Sequence, residues 1–89
     1  MKKTLEMLNW LKSGKYRFLI LKHLNESPKT PSELSDILKI NRASISRILK
    51  DLRNKGLVEN TTEKAKTVLY ILTSKGSDFF KEMENMVKK

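Results

Sequence analysis

The 89-residue chain contains no cysteine, one histidine, three glycines and two prolines. The absence of cysteine excludes a disulfide framework, a thiolate-ligated zinc or iron–sulfur site and thiol catalysis. The single histidine, His23, cannot build a histidine-rich metal site, so we expect it to be a partly buried structural side chain. No metal and no cofactor is expected.

Long apolar runs are also missing. The longest is Phe18-Leu19-Ile20-Leu21, whereas a membrane-spanning helix needs roughly 20 apolar residues. Met1-Lys2-Lys3 resembles the start of a signal peptide, but no long apolar stretch with a cleavage site follows it. The sequence predicts a cytoplasmic protein without a membrane partner. Its length predicts a single domain over residues 1–89.

Basic residues are abundant. Lys and Arg total 19 and Asp and Glu total 10, which gives a net charge of +9. Such a balance in a short chain favours a polyanionic partner, first nucleic acid and second anionic lipid. Residues 1–29 carry seven basic and two acidic side chains, residues 30–56 carry six and three, and residues 57–72 are neutral. A Gly-rich phosphate loop, a nucleophile motif and facing carboxylates are all missing, so no catalytic residue is assigned and no enzyme is expected.

Apolar spacing and local capping signals predict five helices. Residues 15–25 could also form a buried strand, but Tyr16, Ile20 and Leu24 recur at i, i+4 and i+8 and favour a helix. Thr30 followed by Pro31 and Glu33 is a capping box that predicts a helix start. The predicted helices are residues 4–12, 15–25, a short helix after Thr30 with Leu34, Ile37 and Leu38 on its apolar face, 42–54, and a last helix from Thr73 to the C-terminus.

The helix over residues 42–54 has the clearest period, with Ile45, Ile48, Leu49 and Leu52 on one side. Asn41 is a favourable N-cap for it, and Gly56 a favourable stop. Beyond Gly56, residues 57–61 and 67–72 are rich in β-branched and aromatic residues and flank the polar segment 62–66, a pattern that predicts a two-stranded hairpin. Apolar residues of the last helix share one stripe: Phe79, Phe80, Met83, Met86 and Val87.

This order predicts a mostly α chain with a small β-hairpin (α+β), arranged as a winged helix-turn-helix. We divide it into an N-terminal flanking helix (1–14), a winged-helix core (15–76) and a C-terminal helix (77–89). Since the major groove of DNA admits one helix, the polar face of residues 42–54 is the predicted DNA-binding surface. The predicted DNA-binding residues of this helix are Arg42, Ala43, Ser44, Ser46, Arg47, Lys50 and Asn54. In the hairpin, Lys64 and Lys66 are predicted to contact DNA phosphates.

An alternative interpretation is that Arg47 and Lys50 simply form a solvated helix face without a binding role, because exposed Arg and Lys are common. The net charge and the hairpin that follows favour DNA. Asp51 lies toward the same side of the helix, where it would repel phosphate or pair with Arg47 four residues earlier.

Several motifs carry a resemblance to a known group. These are Leu34-Ser35 with Ile37, the run from Asn41 to Leu52, Lys55-Gly56-Leu57-Val58, and Leu72-Thr73 with Gly76. Residues 20–76 are thereby similar to the winged-helix domains of the MarR, ArsR and PadR group of prokaryotic transcriptional regulators. The resemblance implies a DNA-binding regulator.

Three features depart from that group. MarR-type wings carry an Asp-x-Arg whose arginine reaches the minor groove, whereas residues 63–67 here read Glu-Lys-Ala-Lys-Thr. The longer flanking helices that frame an effector pocket in MarR-like proteins are missing, as are the Cys and His clusters of metal-sensing ArsR proteins. No small-molecule effector is therefore expected.

The flanking helices each carry an apolar stripe, which either completes the core of the chain or forms a two-fold homodimer interface. The resemblance favours a dimer, and small winged helices usually read two half-sites. The predicted interface residues are Leu8, Trp10, Leu11, Met83, Met86 and Val87.

Two other functions remain open at this point. The excess of 15 Lys over 4 Arg favours a non-specific, chromatin-like DNA-coating protein, because Lys contacts phosphate as a point charge. A winged helix that binds protein within a larger assembly would more often expose apolar or acidic residues on the helix over 42–54. RNA is disfavoured, since the aromatic residues are scattered and form no stacking platform.

Overall fold

A computed structural model of the chain describes the backbone of residues 2–64 and 67–87 and the side chains of residues 5–61 and 68–86. Over these residues it has five helices and one antiparallel hairpin, in the predicted order. The elements are α1 (Lys2–Ser13), α2 (Lys15–Glu26), α3 (Pro31–Leu38), α4 (Arg42–Asn54), β1 (Val58–Lys64), β2 (Thr67–Leu72) and α5 (Ser74–Val87). The mostly α fold with a hairpin, a winged helix-turn-helix, is confirmed. The described helices include none with the length and apolarity needed to cross a membrane.

Helix α2 is the centre of the molecule. It packs against α1, α4, α5 and β2, and its Ile20, Leu21 and Leu24 are buried. Phe18 stacks on Phe80 of α5 with ring centroids 5.5 Å apart. The helical interpretation of this segment is therefore confirmed, and the remaining buried apolar side chains surround it. They are Leu8, Leu11, Leu34, Ile45, Leu49, Leu52, Leu57, Val58, Phe80 and Met83.

The start of α3 is the predicted capping box. The Glu33 amide donates to the Thr30 hydroxyl at 3.1 Å, and the Thr30 amide donates to Glu33 Oε1 at 2.8 Å. Leu34 is fully buried and Leu38 partly buried, so the core lies on their side of the helix. Ile37, predicted on the apolar face, is 42% exposed. The side of α3 that the core covers is therefore narrower than the predicted apolar face: it includes Leu34 and Leu38 but not Ile37.

A three-residue turn, Lys39 to Asn41, joins α3 to α4. The Lys39 amide closes α3 by donating to the Ser35 carbonyl, and its left-handed φ of 61° and ψ of 38° turn the chain out of the helix. The Ser35 hydroxyl donates to the Ile40 carbonyl at 2.6 Å. Asn41 then caps α4, with its side-chain oxygen accepting from the Ser44 amide at 2.8 Å. The angle between the two helices is thus set by the main chain and two short polar side chains.

Helix α4 ends in a Schellman motif. The Gly56 amide donates to the Arg53 carbonyl at 2.9 Å, and the Leu57 amide donates to the Leu52 carbonyl at 3.0 Å. Gly56 has a φ of 78°, a conformation that costs glycine little and other residues more. Gly56 therefore ends the helix as predicted and turns the chain directly into the hairpin.

The hairpin differs from the prediction at its far end. Strand β1 continues to Lys64, three residues into the segment expected to be a loop, with a register shift between Thr61 and Lys64. The β-branched pair Thr61-Thr62 suits an extended backbone, so the polar composition of this segment was a poor loop signal. At the near end, Lys29 forms an isolated bridge with Tyr70, with N···O distances of 2.8 and 3.2 Å. The wing is therefore attached to the segment that precedes α3.

Helix α5 begins at Ser74, one residue after the predicted start at Thr73 and three residues before the division drawn at residue 77. Its start is set by Thr73, whose hydroxyl accepts from the Gly76 amide at 3.0 Å and donates to the Gly56 carbonyl at 2.7 Å. One side chain caps α5 and also ties it to the end of α4. Gly76 is buried against the Leu57 carbonyl, where a β-carbon would overlap the carbonyl oxygen.

Candidate nucleic-acid interface

Helix α4 has one buried and one exposed face. Ile45, Leu49 and Leu52 are fully buried, and Ile48 is partly buried. Removing side chains of this size from water stabilises the fold by roughly 1.5–3 kcal/mol each. These anchors fix the rotation of α4 about its own axis, and with it the direction in which the polar face points.

The polar face of α4 contains the side chains that are predicted from the sequence to bind DNA. Six of the seven predicted α4 residues are exposed: Arg42, Ala43, Ser46, Arg47, Lys50 and Asn54. The seventh, Ser44, is half-buried and follows the capping Asn41 at the start of the helix. Small side chains alternate with basic ones on this face, so the helix backbone itself is accessible.

Arg53 belongs to this surface and was not predicted. It is exposed, and at about 100° per residue it falls between Arg42 and Ser46 around the helix. A helical projection carried to the last turn would have found it. With Arg53, the exposed face of α4 carries four cationic side chains.

The first turn of α2 lies beside α4. A groove of about 260 Å³ is lined by Tyr16 of α2, Ile40 of the turn, and Ser44, Arg47 and Ile48 of α4. The exposed Lys15 places its ammonium 5.6 Å from the Tyr16 ring centroid. The basic surface therefore continues from α4 onto α2, a contact that no local sequence pattern indicates.

Arg47 and Asp51 do not form the ion pair that the sequence allows. In the part of the chain whose side chains are described, the contact between a basic and an acidic side chain is that of His23 with Glu26, with 3.7 Å between Nδ1 and Oε1. His23 is 22% exposed in that contact. The Arg47 guanidinium is therefore not held by Asp51 and can reach outward from α4.

The wing lysines Lys64 and Lys66 lie outside the residues whose side chains are described, so their role on phosphates stays a prediction. Within the described residues, no group of three or more His, Cys, Asp or Glu side chains is placed to hold a metal ion.

The predicted dimer residues divide into two groups. Leu8, Leu11 and Met83 are at most 7% exposed within a single chain. For them the interface prediction needs correction, because they complete the core of the chain itself and leave no surface for a second copy.

The other interface residues remain candidates. Trp10 is half-buried, Met86 is 42% exposed, and the side chain of Val87 lies outside the described set. Leu5, which was not assigned to the interface, is the most exposed large apolar side chain of the described residues, at 59%. In the sequence Leu5 recurs with Leu8 and Leu11 at a spacing of three, which places it on the apolar stripe of α1. That spacing does not show which of the three leucines the core covers.

Comparison with known families identifies part of this architecture. Residues 14–60, slightly more than half of the chain, match the family described as bacterial regulatory protein, arsR family. The match extends from Gly14 through α4 to the start of the hairpin. No curated protein is recognisably similar to the chain.

Several solved structures are similar to the chain. Wild-type ZitR of Lactococcus lactis in complex with DNA is 30% identical over 78% of this chain and 49% of its own, with a TM-score of 0.70. The chain thus spans about half the length of the ZitR chains that it matches. Apo MarR of E. coli, at 24% identity over 94% of this chain and 67% of its own, has a TM-score of 0.76. The adhesin competence repressor AdcR of Streptococcus pyogenes, at 20% identity over 98% and 72%, also gives 0.76. The last two similarities concern the fold alone.

Proposed function

Because the chain belongs to the arsR family of bacterial regulatory proteins, we propose that it regulates transcription by binding double-stranded DNA. One observation carries the proposal: α4 buries Ile45, Leu49 and Leu52 completely and exposes a face of small and cationic side chains on the opposite side. A helix of this kind fits the major groove, which admits a single helix. The DNA complex of ZitR, similar over 78% of this chain, supports the same conclusion.

Each side chain of the α4 face has a role in this binding mode. Ala43 and Ser46 allow the helix backbone to approach the base edges. Arg42 and Arg47 can donate two parallel hydrogen bonds to guanine or to a phosphate. Asn54 suits adenine or a phosphate, and Lys50 and Arg53 add positive charge. Lys64 and Lys66 of the wing are proposed to contact the DNA backbone.

Regulation by such a protein works through occupancy. A chain bound at a promoter blocks the polymerase or recruits it. The proposal includes a cytoplasmic location, and it assigns no catalytic residue, since regulation by occupancy needs no chemical step.

Replacing Arg47 with Ala tests the DNA-reading role. We expect Arg47→Ala to weaken binding to the DNA fragments that the wild-type protein enriches from a genomic pool, by about 1–3 kcal/mol, while binding to random duplex changes less. The matched control is Lys81→Ala on α5, which removes one exposed positive charge far along the chain from α4. The measurement is a titration of both duplexes across salt concentrations.

Three results of that titration would count against the proposal in different ways. Wild-type affinity in Arg47→Ala removes this residue from the interface. A steep loss of affinity with salt for every duplex, with no enriched fragment, identifies a DNA-coating protein. No binding at low salt identifies a protein-binding winged helix.

We also propose that the chain binds DNA as a two-fold homodimer, since paired half-sites about one helical turn apart match a pair of α4 helices. Exposed apolar side chains on the two flanking helices, Leu5 and Met86, support this assembly. Trp10 and Val87 stay in the predicted interface.

Substitution of Met86 tests the dimer. Met86→Asp is expected to shift the protein toward the monomer by at least tenfold in dimer dissociation constant, because a carboxylate buried in an apolar interface is unpaired. Ile37→Asp is the matched control, since Ile37 is equally exposed at 42% but lies on α3. Sedimentation equilibrium measures the dimer dissociation constant of both variants. Equal effects of the two substitutions, or a wild-type protein that is monomeric at micromolar concentration, would exclude this interface.

A further inference from the structure

Trp10 is the only tryptophan of the chain, and two cations lie over its ring. The Arg17 guanidinium carbon is 4.0 Å from the ring centroid, and the Lys55 ammonium is 5.2 Å from it. Both distances are within the range of a cation–π attraction. Arg17 belongs to α2, but Lys55 immediately follows the last residue of α4. The ring therefore joins α1 to the C-terminal end of the helix that is proposed to read DNA.

The two cations differ in how firmly they are held. Arg17 donates to the Trp10 carbonyl oxygen and, at 3.1 Å, to the Ser13 hydroxyl. The Ser13 hydroxyl in turn donates to the Trp10 carbonyl at 2.9 Å. These bonds hold the corner between α1 and α2 as one unit. Lys55, in contrast, is exposed, and its contact with the ring connects that unit to α4.

We propose that Trp10 is a positioning residue for α4, which acts through Lys55 to hold the end of the helix at a fixed place relative to α1. The inference rests on the proposed function, in which α4 enters the groove and α1 contributes to the dimer surface through Leu5. Because α1 carries both Leu5 and Trp10, the contact relates the position of each α4 to the dimer interface. Its effect is then greatest on DNA that engages both α4 helices at once.

This role differs from a direct DNA contact by Lys55. A lysine that neutralises a phosphate acts without Trp10, and its removal reduces the salt dependence of binding by about one unit of slope. A lysine that acts through the ring loses its effect when the ring is absent and leaves the salt slope unchanged.

The test is a double-mutant cycle on the full chain with Trp10→Leu, Lys55→Met and the double variant. The DNA probes are a duplex that the wild-type protein enriches from the genomic pool and the same duplex cut to a single half-site. Each single substitution is expected to weaken binding to the full duplex by about threefold, the size of an exposed cation–π contact. The double variant is expected to show no further loss, and the half-site duplex little change.

Controls separate positioning from folding. Lys55→Met alters an exposed side chain, so a binding defect in this variant does not come from a lost core. Urea unfolding verifies that Trp10→Leu is folded at the assay temperature, and sedimentation equilibrium verifies that it keeps the wild-type oligomeric state, since Trp10 also belongs to the proposed dimer interface. Lys55→Arg should keep affinity close to that of the wild-type protein, because an arginine over a tryptophan ring also makes a cation–π contact.

Additive losses in the double variant, or a reduced salt slope for Lys55→Met alone, would overturn this inference and leave the proposed function in place. If the wild-type protein enriches no duplex from the genomic pool, the proposed function itself is wrong.

Discussion

Gly76→Ala is expected to lower the free energy of unfolding by about 3 kcal/mol or more, a large part of the stability of a domain this size. A β-carbon at residue 76 would overlap the Leu57 carbonyl oxygen and lie 2.9 Å from its carbon and 3.2 Å from Leu72 Cδ2. The first two atoms are main chain, which cannot move without cost. The Leu57 carbonyl also accepts from the Thr73 amide at 3.0 Å, so any shift breaks the closure of the wing.

Urea unfolding followed by circular dichroism measures this loss, and Gly14→Ala is the control. The three atoms nearest to a β-carbon at Gly14 all belong to the side chain of Arg17, so the substitution displaces Arg17 and its bonds to Trp10 and Ser13 but no main-chain atom among these three. The backbone there, with a φ of −119°, suits alanine. We expect a much smaller effect than at Gly76. If the two alanine variants unfold at the same urea concentration, the contact between Gly76 and Leu57 is not the reason for glycine at this position.

Leu49→Ala is expected to lower the free energy of unfolding by about 3–4 kcal/mol. Truncating a fully buried leucine removes apolar surface from the core and also leaves a cavity there. Leu49 is 0% exposed and lies in the middle of α4, between Ile45 and Leu52. Loss of this anchor allows α4 to rotate or shift, so specific DNA binding should fall together with stability.

The measurement combines urea unfolding with DNA titration at a temperature where the variant is still folded. Ile37→Ala is the control, because truncation of a side chain that is 42% exposed should cost less than about 1 kcal/mol. Equal losses for the two variants would show that α4 is not anchored through Leu49.

Local signals in the sequence were sufficient for the helix-turn-helix. The Thr30 capping box, the Asn41 cap and the Gly56 stop each act within a few residues of the chain, so their outcome depends little on the rest of the molecule. The exposed face of α4 followed from the same logic, because its buried residues recur with a clear helical period.

The flanking helices were harder to interpret, for a physical reason. An apolar stripe indicates that a face is covered, but it does not indicate what covers it. Leu8, Leu11 and Met83 turned out to be covered by the chain itself, whereas Leu5 and Met86 are exposed. The contact of Trp10 with Lys55 joins residues far apart in sequence, and no local pattern predicts such a pair.

The bridge between Lys29 and Tyr70 has a thermodynamic consequence for binding. A two-stranded hairpin is marginally stable alone, but here main-chain bonds join Tyr70 of β2 to Lys29, which precedes α3, and join Leu57 to the end of α4. Ordering a residue on binding costs about 1–2 kcal/mol of backbone entropy. In the proposed DNA complex, a wing whose base is already fixed avoids that cost for the residues at its base, so the contacts that these residues make with DNA contribute more of their free energy to affinity.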